Sequence, residues 1–282
     1  MRTPKVLLFG LSLGVLAGCG PAVTSAAPTI SASSPVSAPP RSGKAPASQK
    51  PTPPAVPGQR KPASGKPTRS KPAQPKRHAG GPAGSLMRTG RAGVALTFDD
   101  GPDPVQTPRL LDLLAREHVK ATFCLVGRRV AAHPGLVRRI AAEGHTLCNH
   151  TWQHSLTLGK KKPAVIRADL RRTNNAIRRA VPKARIKYMR APGGNFTPAF
   201  VKAAAGLGMK SIYWQVDPRD WEHPDGESPA RHQAKIVHTV KKRVGKGSIV
   251  LSHDYRQPAT IAAYRKLIPW LQRRYRLIAL PR

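Results

Sequence analysis

The stretch LTFDDGPDP, residues 96–104, decides the reading of the chain. An apolar run, Val94 to Phe98, leads into two adjacent carboxylates, Asp99 and Asp100. A Gly-Pro pair then turns the chain toward an amphipathic segment, TPRLLDLLAREH at 107–118. A short apolar run, a turn and a helical period of apolar positions make the first half of a β/α unit. The alternation continues to the end of the chain. Apolar runs end near 98, 126, 149, 190, 216, 253 and 279, which gives seven predicted strands. Helical periodicity lies between them at 134–144, 163–181, 197–208 and 228–244, and again at 261–275. Such alternation predicts a parallel α/β fold. If the sheet closes into a barrel, the carboxyl ends of its strands converge on one face, where such folds build their sites.

No Asp or Glu precedes Asp99, whereas 14 Lys and Arg do. The rest of the chain carries 35 basic and 13 acidic residues, for a formal net charge of +36. So basic a protein is drawn to anionic surfaces, and nucleic acid would be the first partner to consider. The N-terminus argues against it. MRTPK is a short positive segment, and Val6 to Leu16 form an apolar core well short of the ~20 residues that span a bilayer. Residues 1–19 therefore predict export and no nucleic-acid partner. Their end, LAGC at 16–19, resembles the lipobox of bacterial lipoproteins, which would make Cys19 an acylated membrane anchor. An ordinary cleavable signal, leaving the protein secreted, is the competing reading. Residues 20–85 are rich in Pro, Ala, Ser, Gly, Lys and Arg, with no Phe, Trp or Tyr. Such a segment cannot bury enough apolar surface to fold, so it predicts a disordered linker reaching between roughly 50 Å as coil and ~200 Å extended. Its cations either pair with anionic cell-wall polymers or only keep it soluble. Residues 86–282 are long enough for one domain with its own core.

Polar clusters fall at the ends of the predicted strands. NHTWQH places His150 and His154 four residues apart, on one side if the segment turns helically. Two imidazoles and a carboxylate are a common divalent-metal set, although Thr151 stands where an HExxH motif would need its Glu. Further along come RAPGG at 190–194, DPRDW at 217–221 and LSHD at 251–254. Together with TFDDGP, and in this order, these motifs resemble the polysaccharide deacetylase family, the carbohydrate esterases with a NodB-homology domain. The likeness covers about residues 90 to 280.

The resemblance implies a metal-dependent deacetylase on a distorted parallel (β/α)7-type barrel. It assigns Asp99 as general base, Asp100 with His150 and His154 as metal ligands, and Arg190 as the partner that orients Asp99. A carboxylate bound to a cation loses basicity while its free neighbour can accept a proton, so adjacent acids can divide the work. His253 matches the catalytic acid and Asp220 its orienting carboxylate. The backbone N–H of Gly193, where many members carry Tyr, matches an oxyanion donor, and Trp221 and Leu251 match the acetyl pocket. Zinc suits this ligand set, and cobalt would also fit. The implied substrates are N-acetylated glycans such as peptidoglycan or chitin-type sugars; an O-acetyl xylan esterase of the same mechanism and a non-catalytic wall-binding lipoprotein are the alternatives. Cys124 and Cys148, an even pair in a chain read as exported, suggest a disulfide, with two buried free thiols as the other reading. Asp103, Asp217 and Asp254 are expected to cap helices or turns. The seven histidines outside the motifs are expected to be surface or structural.

Overall fold

The structure, a computed structural model, describes residues 80–282. The predicted signal segment, Cys19, His78 and nearly all of the predicted linker lie outside the described residues. The folded part begins a few residues before the expected boundary at 86. Pro82–Gly84 form a 3-10 turn closed by a Gly81 N–H bond to the Ser85 carbonyl, and Leu86 bridges to Ile212.

Seven strands in the described residues form one parallel sheet. They are β1 Val94–Asp99, β2 Thr122–Leu125, β3 Thr146–Asn149, β4 Tyr188–Met189, β5 Lys210–Ser211, β6 Ile249–His253 and β7 Leu277–Ile278. The order is β5-β4-β3-β2-β1-β6, with β7 paired to β1. One edge of β1 is taken by β6 along 95–99; the other is shared by β2 at 97–99 and β7 at 94–95. Every residue of β1 is buried, as expected of a strand covered on both faces.

The helices are α1 Gln106–Arg116, α2 Gly127–Ala132, α3 Pro134–Ala142, α4 Pro163–Ala180, α5 Pro198–Ala205, α6 Pro229–Arg243 and α7 Pro258–Gln272. Five of them start on proline, whose fixed φ and missing N–H suit the first helical position. Ser228 and Thr197 cap α6 and α5 through their hydroxyls. The longest helix, α4, buries Ile166, Leu170, Thr173, Asn174 and Ile177 and turns Arg167, Arg171, Arg178 and Arg179 to solvent.

Two strand expectations change. The run predicted to end at 216 pairs as a strand only at 210–211. Beyond it the chain leaves the ladder, and Val216 bridges to Val250 on β6. Residues 212–216 thereby run from β5 at one edge of the sheet to β6 at the other. The fourth strand is likewise only two residues long. Cys124 and Cys148 stand opposite each other on β2 and β3, one step from Asp99 on β1, and are joined as a disulfide with a Cα separation of 4.2 Å.

Candidate active site

Asp99 and His253 are direct register partners at the carboxyl ends of β1 and β6. Asp100 follows β1, His150 follows β3 and Arg190 follows β4, so the parallel topology alone delivers five of the candidate residues to one end of the barrel. A cavity of about 360 Å³ opens there, lined by Asp99, Asp100, His150, His154, Gly193, Trp221, Leu251 and His253, together with Leu156, Ala191, Trp214 and Asp217.

Asp100 Oδ1, His150 Nε2 and His154 Nε2 converge. The carboxylate oxygen lies 3.4 Å from the first nitrogen and 3.2 Å from the second, yet it is buried and accepts no hydrogen bond. Three ligand atoms within 4.8 Å of one another, one of them a buried carboxylate oxygen without a hydrogen bond, suit a cation site, and these residues could hold one. The other ring nitrogen of His150, Nδ1, is 2.8 Å from the Arg190 carbonyl and donates to it, which leaves Nε2 free to ligate. Burial alone would raise the Asp100 carboxyl, but His150, His154 and His253 outweigh it and hold it well below the usual carboxylate range. Burial lowers the pKa of His154; in His150 the carboxylates of Asp99 and Asp100 overcome the burial penalty and raise it.

The His pair is not brought together by a helical turn, as the four-residue spacing suggested. Thr151 and His154 both have left-handed backbones, φ +63° and +59°, and the loop folds back to place the two rings 4.9 Å apart. Asp100 is left-handed as well, at φ +77°. Such non-glycine conformations cost about 1–3 kcal/mol each and persist only where neighbours over-determine them. Here Asn149 Oδ1 accepts from Thr151 N–H, Thr151 Oγ1 accepts from His154 N–H, and Arg129 donates to the Asp100 carbonyl at 2.5 Å.

Arg190 is fully buried. Its Nη1 donates to Asp99 Oδ1 at 2.7 Å and to Thr97 Oγ1 at 2.9 Å, and its Nη2 to the Tyr213 carbonyl. The second Asp99 oxygen stays 3.6 Å from His150 Nε2, on the side of the Asp100, His150 and His154 cluster. Across the cavity His253 Nδ1 donates to Asp220 Oδ1 at 2.8 Å. Asp220 Oδ2 accepts from the His253 N–H and from Thr260 Oγ1. Burial would lower the His253 pKa, but the Asp220 carboxylate, aided by Asp100 and Asp99, pushes it up to about 9.

Gly193 has φ +60°, and a Cβ there would stand 3.0 Å from Leu156 Cδ2. Leu251 is buried, whereas Trp221 is 44% exposed and stacks on Arg219. Asp103 caps the start of α1, and Asp217 closes a turn on the Arg219 N–H, as expected. Asp254 does neither. It is fully buried, accepts from the Gly101 N–H and, at 2.5 Å, from Thr107 Oγ1, which itself accepts from the Asp103 N–H. A Cβ on Gly101 would meet the Asp254 oxygens at 2.5 Å, so this position requires glycine. Burial pushes the Asp254 carboxyl up to about 7. The contacts made by Asp254, Thr107, Arg129 and Thr260 join sequence-distant segments and leave no local pattern to read. Trp152 packs under Arg172 and beside Gly127 and does not line the cavity. Two of the unassigned histidines are buried and structural. His145 accepts from the Ala121 N–H, and burial lowers its pKa to about 4; His232 bonds Glu227 and the Asp220 carbonyl.

Comparison with known proteins agrees with this geometry. The sequence model of the polysaccharide deacetylase family matches residues 87–212. A chitooligosaccharide deacetylase of Bradyrhizobium sp. is 39% identical over 199 residues, 66% of this chain and 87% of its own. A peptidoglycan-N-acetylglucosamine deacetylase of Bacillus cereus is 36% identical over 190 residues, 66% of this chain and 84% of its own. A crystal structure of a CE4 family pseudoenzyme from Bacillus anthracis aligns with a TM-score of 0.62 at 26% identity, covering 70% of this chain and 67% of that one. The chain belongs to the polysaccharide deacetylase family. Because a neighbour with the same fold is a pseudoenzyme, the activity of this chain has to be argued from its site.

Proposed function

We propose that the protein hydrolyses the acetamido groups of N-acetylated glycans of the cell-wall or chitin type, releasing acetate and leaving a free amine on the sugar. The observation that supports this is a cluster of Asp100, His150 and His154 flanked in one cavity by two oppositely equipped groups, Asp99 held by Arg190 and His253 held by Asp220. Asp100, His150 and His154 would hold a divalent cation, zinc by preference for two imidazoles and a carboxylate, which would supply Lewis acidity toward the acetyl carbonyl and the attacking water.

The remaining work falls to the protein's own groups. Asp99, with Oδ1 committed to Arg190, offers Oδ2 to the water and takes its proton as general base. The Gly193 N–H donates to the oxygen that gains negative charge when the carbonyl is attacked. His253, with Nδ1 committed to Asp220, faces the cavity through Nε2 and is protonated at neutral pH. It gives that proton to the departing amine nitrogen as the C–N bond breaks. Leu251 and Trp221 enclose the methyl group. Names of the relatives support N-acetylglucosamine polymers as the substrate class. We further propose export, with Cys19 as the lipid anchor and the basic linker as a spacer toward the wall.

The test is incubation of the purified protein with peptidoglycan, chitooligosaccharide and acetylated xylan in parallel, following acetate and primary amine. Amine release from one of the first two supports the reading; acetate from xylan alone would replace it with ester hydrolysis.

A further inference from the structure

The amino ends of the strands form the opposite face of the barrel from the catalytic cavity, and they carry a different kind of surface. Two adjoining cavities lie there, sharing Arg91 and Pro281, of about 460 and 410 Å³. The first is ringed by Arg91, Lys246, Arg274 and Arg276, and the second adds Arg88, Lys187 and Lys210. All seven are exposed, none forms an ion pair with a side-chain carboxylate among the described residues, and no Asp or Glu lines either cavity. Their positions are separate in sequence. Arg88 and Arg91 come from the segment entering β1, Lys187, Lys210 and Lys246 from the starts of β4, β5 and β6, and Arg274 and Arg276 from the residues before β7. Backbone pairing fixes their spacing: Thr89 N–H donates to the Gly247 carbonyl, Gly247 N–H to the Ala92 carbonyl, and the Arg88 guanidinium to the Lys246 carbonyl. The floor between the cations is apolar, made of Ile212, Ile249, Tyr275, Ile278 and Leu280.

We infer that this face is a binding site for a linear phosphodiester polymer of the cell wall, held while the opposite end of the barrel works on its glycan. Guanidinium groups dominate the first cavity and match phosphate oxygens in a bidentate fashion. Seven cations without side-chain carboxylate partners, spread along two joined concavities, fit a flexible chain of regularly spaced anions. None of its residues lines the catalytic cavity, so polymer binding is measured apart from catalysis; only the coupling to work on the glycan rests on the deacetylase reading.

The experiment uses the full chain and poly(glycerol phosphate) as the probe. One variant carries Arg91→Gln, Lys246→Gln, Arg274→Gln and Arg276→Gln. A control of equal net charge carries Arg109→Gln, Arg167→Gln, Arg171→Gln and Arg231→Gln, all exposed positions on α1, α4 and α6. The first variant should bind the polymer at least tenfold more weakly than the control. Its plot of log affinity against log salt should be shallower by about 3, as expected for four lost phosphate contacts on a single-stranded polyanion. Amine release from chitooligosaccharide by the first variant, measured alongside, should match wild type if that activity is present, and an unchanged melting temperature shows that the fold persists. Equal weakening in both variants would reduce the effect to overall charge and overturn the site. A larger loss on vesicles of equal parts phosphatidylglycerol and phosphatidylcholine than on the polymer would overturn the choice of partner in favour of a membrane. Equal loss on polyglutamate would overturn phosphodiester recognition.

Discussion

The two ends of the barrel handle charge in opposite ways. At the carboxyl ends of the strands Asp99, Asp220, Asp254 and Arg190 are all buried, and each is matched: Asp99 with Arg190, Asp220 with His253 and Thr260, Asp254 with Gly101 and Thr107. At the amino ends the cations are exposed and have no side-chain carboxylate partners among the described residues. A buried charge without a partner costs several kcal/mol, so a catalytic site must be assembled from pairs; an exposed one costs little and acts over a distance set by salt. At the paired end Asp100 Oδ1 is a fully buried carboxylate oxygen without a hydrogen bond, beside two imidazole nitrogens with which it could hold a cation.

The sharpest way to break this picture is to remove a ligand. Asp100→Ala, His150→Ala or His154→Ala should each strip most of the bound divalent metal, measured by elemental analysis, and abolish deacetylation while the fold persists. Asp99→Asn should instead keep the metal and lower kcat by about 10²–10⁴-fold, the range expected for a lost general base. A variant at 99 that loses the metal would mean that the two adjacent carboxylates do not divide their roles.

Next in size is the pH response of the acid. In the proposed mechanism His253 works protonated, and Asp220 raises its pKa to about 9 against the pull of burial, so the alkaline limb of kcat/KM should lie near pH 9. Asp220→Asn removes the charge that favours the imidazolium, so the limb should move toward the ordinary histidine range of about 6.5 with metal content unchanged. An unmoved limb would send the search for the acid elsewhere.

Asp254 gives a smaller effect, on stability. Its folded pKa, about 7, lies above the ordinary 3.8, so the folded state binds the proton more tightly. Stability of the metal-free protein therefore falls as pH rises from about 4 to 7, and Asp254→Asn should flatten that slope in denaturant titrations. The smallest expected change is at Trp221, half-exposed on the cavity wall, where Trp221→Ala should raise KM by about 3–10-fold and leave kcat nearly unchanged, consistent with the loss of one aromatic contact.

Much of the paired end was legible because parallel strands end where chemistry is done. TFDDGP and LSHD end, and HTWQH follows, a strand long enough to show as an apolar run, and those strands are β1, β6 and β3. Legibility failed where structure does not repeat. The short helix α2 has six residues, too few for a stripe, and β4 and β5 hold only two residues each. The His150–His154 loop uses left-handed residues that no periodicity announces, and Asp254 reads as a cap until its partners 153 and 147 positions away are seen. The cations of the opposite end were visible only as composition. Nothing in the sequence says that Arg91, Lys246 and Arg276 share one concavity.

The most direct measurement counts acetate and primary amine together on an N-acetylglucosamine oligomer, before chelation, after chelation and after one equivalent of zinc is returned. The account predicts one amine for each acetate, loss of both on chelation and recovery of both with the metal. Stoichiometric zinc binding without turnover of that oligomer or of peptidoglycan would contradict it, and would place this chain with the pseudoenzymes of its fold.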